Sequence, residues 1–337
     1  MRIAVTGAAG FVGSHLTETL LRQGHSVIGL DQSGTTLDGD VIKHASFTFK
    51  SGDIRDEIFV SSAIDADCDL VFHLAAVVGV TNYLANPFDV VDVNVLGTRN
   101  VLLAARAADA RFLLASTSEI YGKNPRVPWS EDDDRVLGGT QVDRWSYSSS
   151  KAAAEHLTLA AGNRYDIPVT IVRFFNAYGP RQKPIYVISN SIHRVLNGKP
   201  PLVYDSGDQT RCFTYIDDIV EGTIRAGTHP AGVGEVFNIG SSSETSIRAA
   251  IETVITQAGA PDLLQAFSTE EVFGNTYQDI TRRVPDVTKA QSLLGWAAST
   301  SVSAGVGLTI EWARAHPWWL EAARTDESEP TNTSISS

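Results

Sequence analysis

Tyr147 and Lys151 stand four residues apart in the run Trp145-Ser146-Tyr147-Ser148-Ser149-Ser150-Lys151. In a helix that spacing puts a phenol and an ammonium on one face. A phenol with an ordinary pKa of about 10 is a poor base at neutral pH, and a neighbouring lysine cation stabilises the phenolate and brings it toward working range. The spacing alone fits an exposed helix pair better, and it is the company of the other motifs that turns it into a proton-transferring tyrosine served by a lysine. Upstream, Arg111 to Ala115 reads as a strand that delivers Ser116-Thr117-Ser118-Glu119-Ile120-Tyr121-Gly122. Hydroxyls at the carboxyl end of a parallel strand lie where open α/β sheets bind ligands. A polar exit from the strand is the plainer reading of the same residues.

The elements that must position these groups read as an α/β chain. Ile3 to Thr6 is a buried-strand pattern followed by Gly7-Ala8-Ala9-Gly10-Phe11-Val12-Gly13 and a helix carrying Leu16, Leu20 and Leu21. Glycines at 7, 10 and 13 let the backbone turn tightly, approach a pyrophosphate at a helix N-terminus and pack that helix on the sheet. His25 to Leu30 forms a second strand ending in Asp31, 18 residues beyond Gly13. An acid there is placed to accept from a ribose 2′-hydroxyl and to repel a 2′-phosphate, so NAD is expected over NADP. Asp53 and Ile54 could flank an adenine ring, or form a polar turn. Leu70 to Ala76 reads as the fourth strand, with Leu74, Ala75 and Ala76 allowing close cofactor approach and His73 a core or sheet-end histidine. A helix is expected over Asn94 to Ala108.

The chain has 337 residues, 43% hydrophobic and 20% charged, with a net charge of −12. That balance is ordinary for a globular protein and argues against general nucleic-acid binding. Cys68 and Cys212 are far apart and lack the spacing of a metal site, so no metal is expected. The chain opens on the strand-like Met1-Arg2-Ile3-Ala4-Val5, with no basic leader and no apolar run of membrane-spanning length, which predicts a cytoplasmic protein without membrane contact. The expected division is a dinucleotide-binding domain over 1–175, to which a strand and helix near 205–240 return, and a smaller substrate lobe over 176–315. A disordered tail over 325–337 is expected from its lack of apolar residues.

Together, Gly7-x-x-Gly10-x-x-Gly13, Asp31, Thr117-Ser118-Glu119, Tyr147-x-x-x-Lys151 and Arg173-Phe174-Phe175-Asn176-Ala177-Tyr178-Gly179-Pro180 resemble the extended short-chain dehydrogenases/reductases of the NAD-dependent sugar-nucleotide epimerase/dehydratase type. The likeness runs from Met1 to about Trp312. It implies a Rossmann doubly wound parallel sheet with a C-terminal α/β substrate lobe, and oxidation of a sugar C4 hydroxyl by NAD⁺. Tyr147 would be the base, Thr117 would bridge the hydroxyl, and Lys151 would tune the phenol and hold the nicotinamide ribose. By the same resemblance Asn176 and Arg211 contact the diphosphate. Tyr204 and Phe213 are candidates near the nucleobase, with core packing as the other role.

The fate of the 4-ketone sets the product. Dehydratases of the family carry an Asp-Glu pair where this chain has Ser118-Glu119, which removes the better proton donor for a leaving hydroxide. Ser118-Glu119, Val136-Leu137-Gly138, Arg144-Trp145-Ser146-Tyr147, Arg211-Cys212-Phe213-Thr214 and Arg283 two residues before Pro285 are similar to the UDP-glucuronate decarboxylases and UDP-apiose/xylose synthases. That likeness implies a UDP-sugar substrate, with Ser118 and Glu119 serving the C5/C6 end and Arg283 steering a carboxylate. Without it, Arg211 and Arg283 would read as surface salt bridges. Epimerisation at C4 stays open beside decarboxylation, and a non-catalytic NAD-binding protein or a reductase of a neutral alcohol are readings of other classes. The loop Pro184-Ile185-Tyr186-Val187-Ile188-Ser189-Asn190 departs from the family's Val-x-Pro pattern. A homodimer through helices near 86–108 and 147–163 is also implied.

Overall fold

The computed structural model describes residues 1–34, 37–79, 85–261, 264–267 and 280–321; the tail expected over 325–337 lies outside these. Seven parallel strands form the central sheet: β1 (Arg2–Thr6), β2 (Ser26–Asp31), β3 (Phe47–Ser51), β4 (Leu70–His73), β5 (Arg111–Thr117), β6 (Val169–Phe174) and β11 (Val236–Ile239), in the order β11-β6-β5-β4-β1-β2-β3. Sheets with helices on both faces need strands apolar on both faces. Ile3, Ala4 and Val5 are all fully buried, and they alternate between two cores. Ile3 and Val5 meet Leu16 and Leu20 of the helix Phe11–Arg22 and Ile219 of the helix Ile216–Thr228. Ala4 meets Val101 and Leu102 of the helix Thr98–Ala107 and Ala154 of the helix Arg144–Tyr165.

The strand order reverses between β1 and β4, the crevice in which doubly wound sheets bind ligands. There the fourth strand stops at His73, three residues short of its expected end. Leu74 and Ala75 turn back on β1, with Leu74 N donating to Thr6 O at 3.1 Å and Ala75 N to Thr6 Oγ1 at 3.2 Å. His73 is the core histidine expected, bonded to Thr6 Oγ1 at 2.7 Å and Thr98 Oγ1 at 3.0 Å. The helix expected over Asn94 to Ala108 begins earlier, as the α-helix Pro87–Asp92, and passes through a π-turn, Val93–Gly97, into the α-helix Thr98–Ala107. Asn94 leaves the helix pattern to accept from Val77 N and to donate to Ser150 Oγ on the tyrosine helix, both at 3.0 Å. Such π-turns recur next to functional sites.

After β6 the chain builds three small sheets. The short strands β7 (Ala177–Tyr178) and β10 (Thr214–Tyr215) pair, β8 (Leu202–Tyr204) pairs with β13 (Gln265–Phe267), and β9 (Thr210–Arg211) lies between β12 (Thr245–Ser246) and β14 (Arg282–Arg283). Between them the chain returns to the main sheet, where β11 pairs with β6.

Candidate active site

Thr117 ends β5, and its side chain accepts from Glu119 N at 3.2 Å, which tips the chain into the 3₁₀ turn Ser118–Tyr121. The tyrosine helix packs against this strand end, so Thr117 hydrogen-bonds Tyr147. Lys151 lies one turn further along and donates from Nζ to Ala115 O at 2.7 Å. Tyr147 is 8% and Lys151 3% exposed. Thr117, Tyr147 and Lys151 therefore converge at the carboxyl end of β5, as the sequence predicts.

Their electrostatics correct one expectation. Lys151 does not bring the phenol into working range by itself. Burial pushes Tyr147 up, Glu119 and Tyr186 push it further, and only the Thr117 hydrogen bond opposes them. Burial also draws Lys151 down, to about 8, against the pull of Glu155. The reason is that a buried phenolate loses its solvation, while the lysine cation is seated on the Ala115 carbonyl. A positive charge facing the phenol would oppose that shift.

Glu119 is the centre of a second cluster. Arg283 Nη1 lies 2.5 Å from its Oε1 and Arg144 Nη2 3.5 Å from its Oε2. Arg211 and Arg283 are register partners on β9 and β14, side by side across two parallel strands. Like charges in that position repel, and a shared carboxylate offsets the repulsion. Burial alone would raise the Glu119 carboxyl, but Arg283, Arg144 and Arg211 outweigh it and hold the group below the usual carboxylate range. Glu119 is thus a fixed anion and no proton donor at neutral pH. Arg283 is 8% exposed, and its Nε is buried with no hydrogen-bond partner among the described residues. Ser118 is buried at 2%.

The glycine loop fits a dinucleotide. The helix Phe11–Arg22 begins at Gly10 with no side-chain cap and no acid in its first turn, leaving its N-terminal amides for a phosphate. Gly7 has φ +71°, and a Cβ there would meet Ala75 N at 2.8 Å; a Cβ on Gly13 would meet Gly7 O at 1.9 Å. Phe11 and Val12 are half-buried in that first turn. Asp31 ends β2 beside the loop, accepting from Ala9 N at 2.9 Å and Gln32 N at 2.8 Å. Leu74, Ala75 and Ala76 follow β4 as half-buried residues. Asp53 is engaged by Arg55 Nη2 at 2.7 Å and Gln32 Nε2 at 3.2 Å, and Ile54 is buried under Gly97. Gly7, Gly10, Gly13 and Asp31 would hold NAD, with Lys151 reaching its nicotinamide end.

On the substrate side, Asn176 has a left-handed backbone (φ +30°) and a buried Oδ1 without a hydrogen-bond partner among the described residues. Tyr204 ends β8 in register with Phe267, in a different sheet from Arg211 and Arg283. Phe213 is buried edge-on against Tyr178, the core role.

Three features escape a reading of the sequence. Arg144 belongs to the Glu119 cluster, and its place three residues before Tyr147 puts both on one helix face, a signal the sequence does hold. Tyr186 reaches the electrostatic surroundings of Tyr147 from the start of the helix Val187–Leu196, a long-range approach that no local pattern announces. Arg173 and Glu155 form a buried ion pair at 2.7 Å behind Lys151.

Comparison with known proteins agrees with this geometry. Residues 3–240 match the NAD dependent epimerase/dehydratase family. The chain is 39% identical over 324 residues to a UDP-N-acetyl-α-D-glucosaminuronate decarboxylase of Bacillus cytotoxicus, spanning 93% of this chain and 98% of that protein. It is 33% identical to a UDP-glucose 4-epimerase of Mycolicibacterium smegmatis, spanning 93% and 99%. Among solved structures, a UDP-glucuronic acid 4-epimerase from Bacillus cereus in complex with UDP-glucuronic acid and NAD superposes with a TM-score of 0.83 at 31% identity, covering 94% of this chain and 99% of that one.

Proposed function

We propose that this chain, which belongs to the NAD-dependent epimerase/dehydratase family, is a cytoplasmic decarboxylase of UDP-hexuronates. The observation that carries the reading is the buried Glu119 anion with Arg283, Arg144 and Arg211 around it, next to Tyr147. Three guanidiniums against one carboxylate leave two positive charges in excess. A neutral hexose needs none of them beyond its diphosphate, whereas a hexuronate brings one more carboxylate.

Bound NAD⁺ supplies the hydride acceptor and the positive charge the phenol lacks. Tyr147 would take the C4 hydroxyl proton, and Thr117, already hydrogen-bonded to Tyr147, would align the hydroxyl for it. Lys151 holds its own charge beside the phenol. The product of C4 oxidation is a 4-ketone, and with a carboxylate on C5 the sugar is a β-keto acid. Breaking the C5–C6 bond releases CO₂ and leaves the electron pair on C5 and the C4 oxygen, as an enolate. Glu119, fixed and ionised, repels the leaving carboxylate, while the Tyr147 phenol and Thr117 hydroxyl face the oxygen that gains charge. A proton from water at C5 would restore the ketone, and reduction at C4, with Tyr147 giving its proton back to the C4 oxygen, would leave a UDP-pentose and the cofactor in its starting oxidation state.

The same anion weighs against 4,6-dehydration, because a carboxylate held below its usual range cannot protonate a leaving hydroxide. A second reading, C4 epimerisation with the carboxylate retained, is favoured by the likeness to the UDP-glucuronic acid 4-epimerase and by arginines that could equally anchor the group. Incubation of the purified protein with UDP-glucuronate and UDP-N-acetylglucosaminuronate, with products resolved by mass spectrometry and NMR, separates the two. Loss of one CO₂ supports decarboxylation; a C4 epimer of unchanged mass sinks it.

A homodimer belongs to the same proposal. Phe88, Val91 and Leu96 are exposed at 76%, 44% and 38% on the segment packed beside the tyrosine helix, and a second copy would cover them. Sedimentation analysis at micromolar concentration checks it.

A further inference from the structure

A buried network behind the tyrosine helix is not used by the chemistry above. Glu155 lies one helical turn beyond Lys151 and two beyond Tyr147, so the three share a face. Adjacent residues of β5 hold the first two of its contacts. Ala115 O accepts from Lys151 Nζ at 2.7 Å, and the next residue, Ser116, donates from Oγ to Glu155 Oε1 at 2.5 Å. From β6, Arg173 grips the same carboxylate with both arms, Nε to Oε1 at 3.0 Å and Nη2 to Oε2 at 2.7 Å. Its remaining Nη1 donates to Tyr121 Oη and to Glu131 O, each at 2.8 Å, and Tyr121 Oη donates to Asn238 Oδ1 at 2.8 Å. Glu155 is 6% and Arg173 8% exposed. Buried ion pairs are seldom worth more than the apolar packing that could replace them, so a role beyond stability has to be sought in what this one adjoins.

We propose that Glu155 is a positioning residue whose carboxylate, braced by Ser116 and Arg173, keeps the Lys151 ammonium charged and seated on β5. The inference rests on the assignment of Tyr147 and Lys151 as the proton-transfer pair. The charged group that acts on Lys151 is Glu155 on its own helix, where Tyr147 lies one turn before it; Lys151 in turn acts on His73 at the end of β4, and Arg173 on β6 grips Glu155. Burial and the charge of Lys151 depress His73 to about 3, so it is neutral. Glu119 is engaged by its own arginines. Glu155 is therefore the anion that supports Lys151 against burial, which alone would take more of its charge. Arg173 stands behind Glu155 with the opposite sign.

That arrangement makes a prediction no purely structural ion pair shares: removing its negative half moves the alkaline limb that Lys151 sets, whatever it does to stability. Turnover needs the ammonium and falls as pH rises through its pKa. Glu155→Gln keeps the hydrogen-bonding shape and removes the negative charge, so the alkaline fall of UDP-glucuronate turnover begins about one pH unit lower. Arg173→Met takes away the brace of the Glu155 carboxylate and favours its protonation, so the fall begins lower here too, by less than in Glu155→Gln. NAD⁺ affinity measured by calorimetry across the same pH range tracks the same two shifts and needs no turnover. Should Glu155→Gln not fold, Glu155→Asp, which keeps the charge, is expected to hold the wild-type pH limb while losing thermal stability. An unmoved limb in folded Glu155→Gln, or a limb that moves to higher pH in either variant, overturns the inference. Full activity in Tyr147→Phe would instead overturn the assignment on which it rests, and the calorimetric limb would still report on Lys151.

Discussion

Arg283→Gln is the sharpest test of a hexuronate site. In the wild type, Arg283, Arg144 and Arg211 set three positive charges against the one negative charge of Glu119. A substrate carboxylate about 5 Å from any one of them, at an effective dielectric of about 20, interacts by about 3 kcal/mol. The substitution cuts the net attraction from two such interactions to one. Desolvation and rearrangement of Glu119 toward Arg144 take part of that back, leaving an expected loss of about 1.5–3 kcal/mol, or roughly 10- to 100-fold in Kd for UDP-glucuronate. UDP-glucose has a neutral group at C6, so its Kd should change by less than about threefold. The readout is the ratio of the two constants by calorimetry, with urea unfolding to check that the loss of a buried partner of Glu119 costs stability without unfolding the protein. Arg283→Lys keeps the charge but not the planar fork, and is expected between the two. Equal weakening of both ligands would mean that Arg283 serves the shared diphosphate or merely holds Glu119. An unchanged ratio would refute the charge argument outright.

The same geometry sets the outcome of further substitutions. Tyr147→Phe should abolish conversion of any nucleotide sugar while leaving NAD⁺ affinity within about threefold of wild type; retained conversion would remove the phenol from the chemistry. Gly13→Ala forces a Cβ to within 1.9 Å of Gly7 O, whereas Gly10→Ala meets the same atom at 3.1 Å. The first should cost about 1–3 kcal/mol or more of unfolding free energy and the second distinctly less, with Gly10→Ala acting mainly on NAD⁺ affinity because its backbone faces the phosphate position. Equal stability losses in urea would contradict the packing. His73 is buried and held neutral, its pKa depressed from 6.5 to about 3 by burial and Lys151. The unfolded chain binds this proton first, so stability is complete above 6.5 and falls as pH drops toward 3, by about 1.4 kcal/mol per unit from this residue. His73→Gln should flatten the slope of stability between those limits, and an unchanged slope would show that His73 protonates in the folded state.

Much of this is written locally in the chain. The glycine spacing, Asp31 and the Tyr147–Lys151 interval are read at a distance of a few residues, because helix and strand periodicity alone decides which side chains face together. The positions of buried strands along the chain are legible for a related reason: parallel strands covered on both faces leave continuous apolar runs such as Leu70-Val71-Phe72. The illegible part joins residues far apart in the chain. Arg211 and Arg283 become neighbours only when β9 and β14 pair, and Glu119 comes from a third segment. Arg55, similarly, claims the Asp53 carboxylate that the sequence offers to an adenine. The direction of the Tyr147 shift runs against the sequence expectation for a physical reason. Spacing gives the presence of a lysine but not the depth of burial, and burial dominates both groups.

The protein as a whole carries a charge of −12, yet it gathers three arginines around one buried carboxylate. That net charge opposes the approach of a trianionic UDP-hexuronate, so affinity must come from inside the cleft, where a lower dielectric makes each charge count for more. Placing like charges on adjacent strands costs stability, and Glu119 reduces that cost in the free protein. Its presence has a second effect once a hexuronate arrives. The anion that made the arginines tolerable now stands against the substrate carboxylate, and the strain is relieved when that carboxylate leaves as neutral CO₂. A site with the same arginines and no Glu119 would bind a uronate more tightly and hold on to its carboxylate. Glu119→Gln is accordingly expected to tighten UDP-glucuronate binding while slowing CO₂ release, with any remaining turnover diverted toward the C4 epimer. Weaker binding together with undiminished CO₂ release would show that the carboxylate plays no such part.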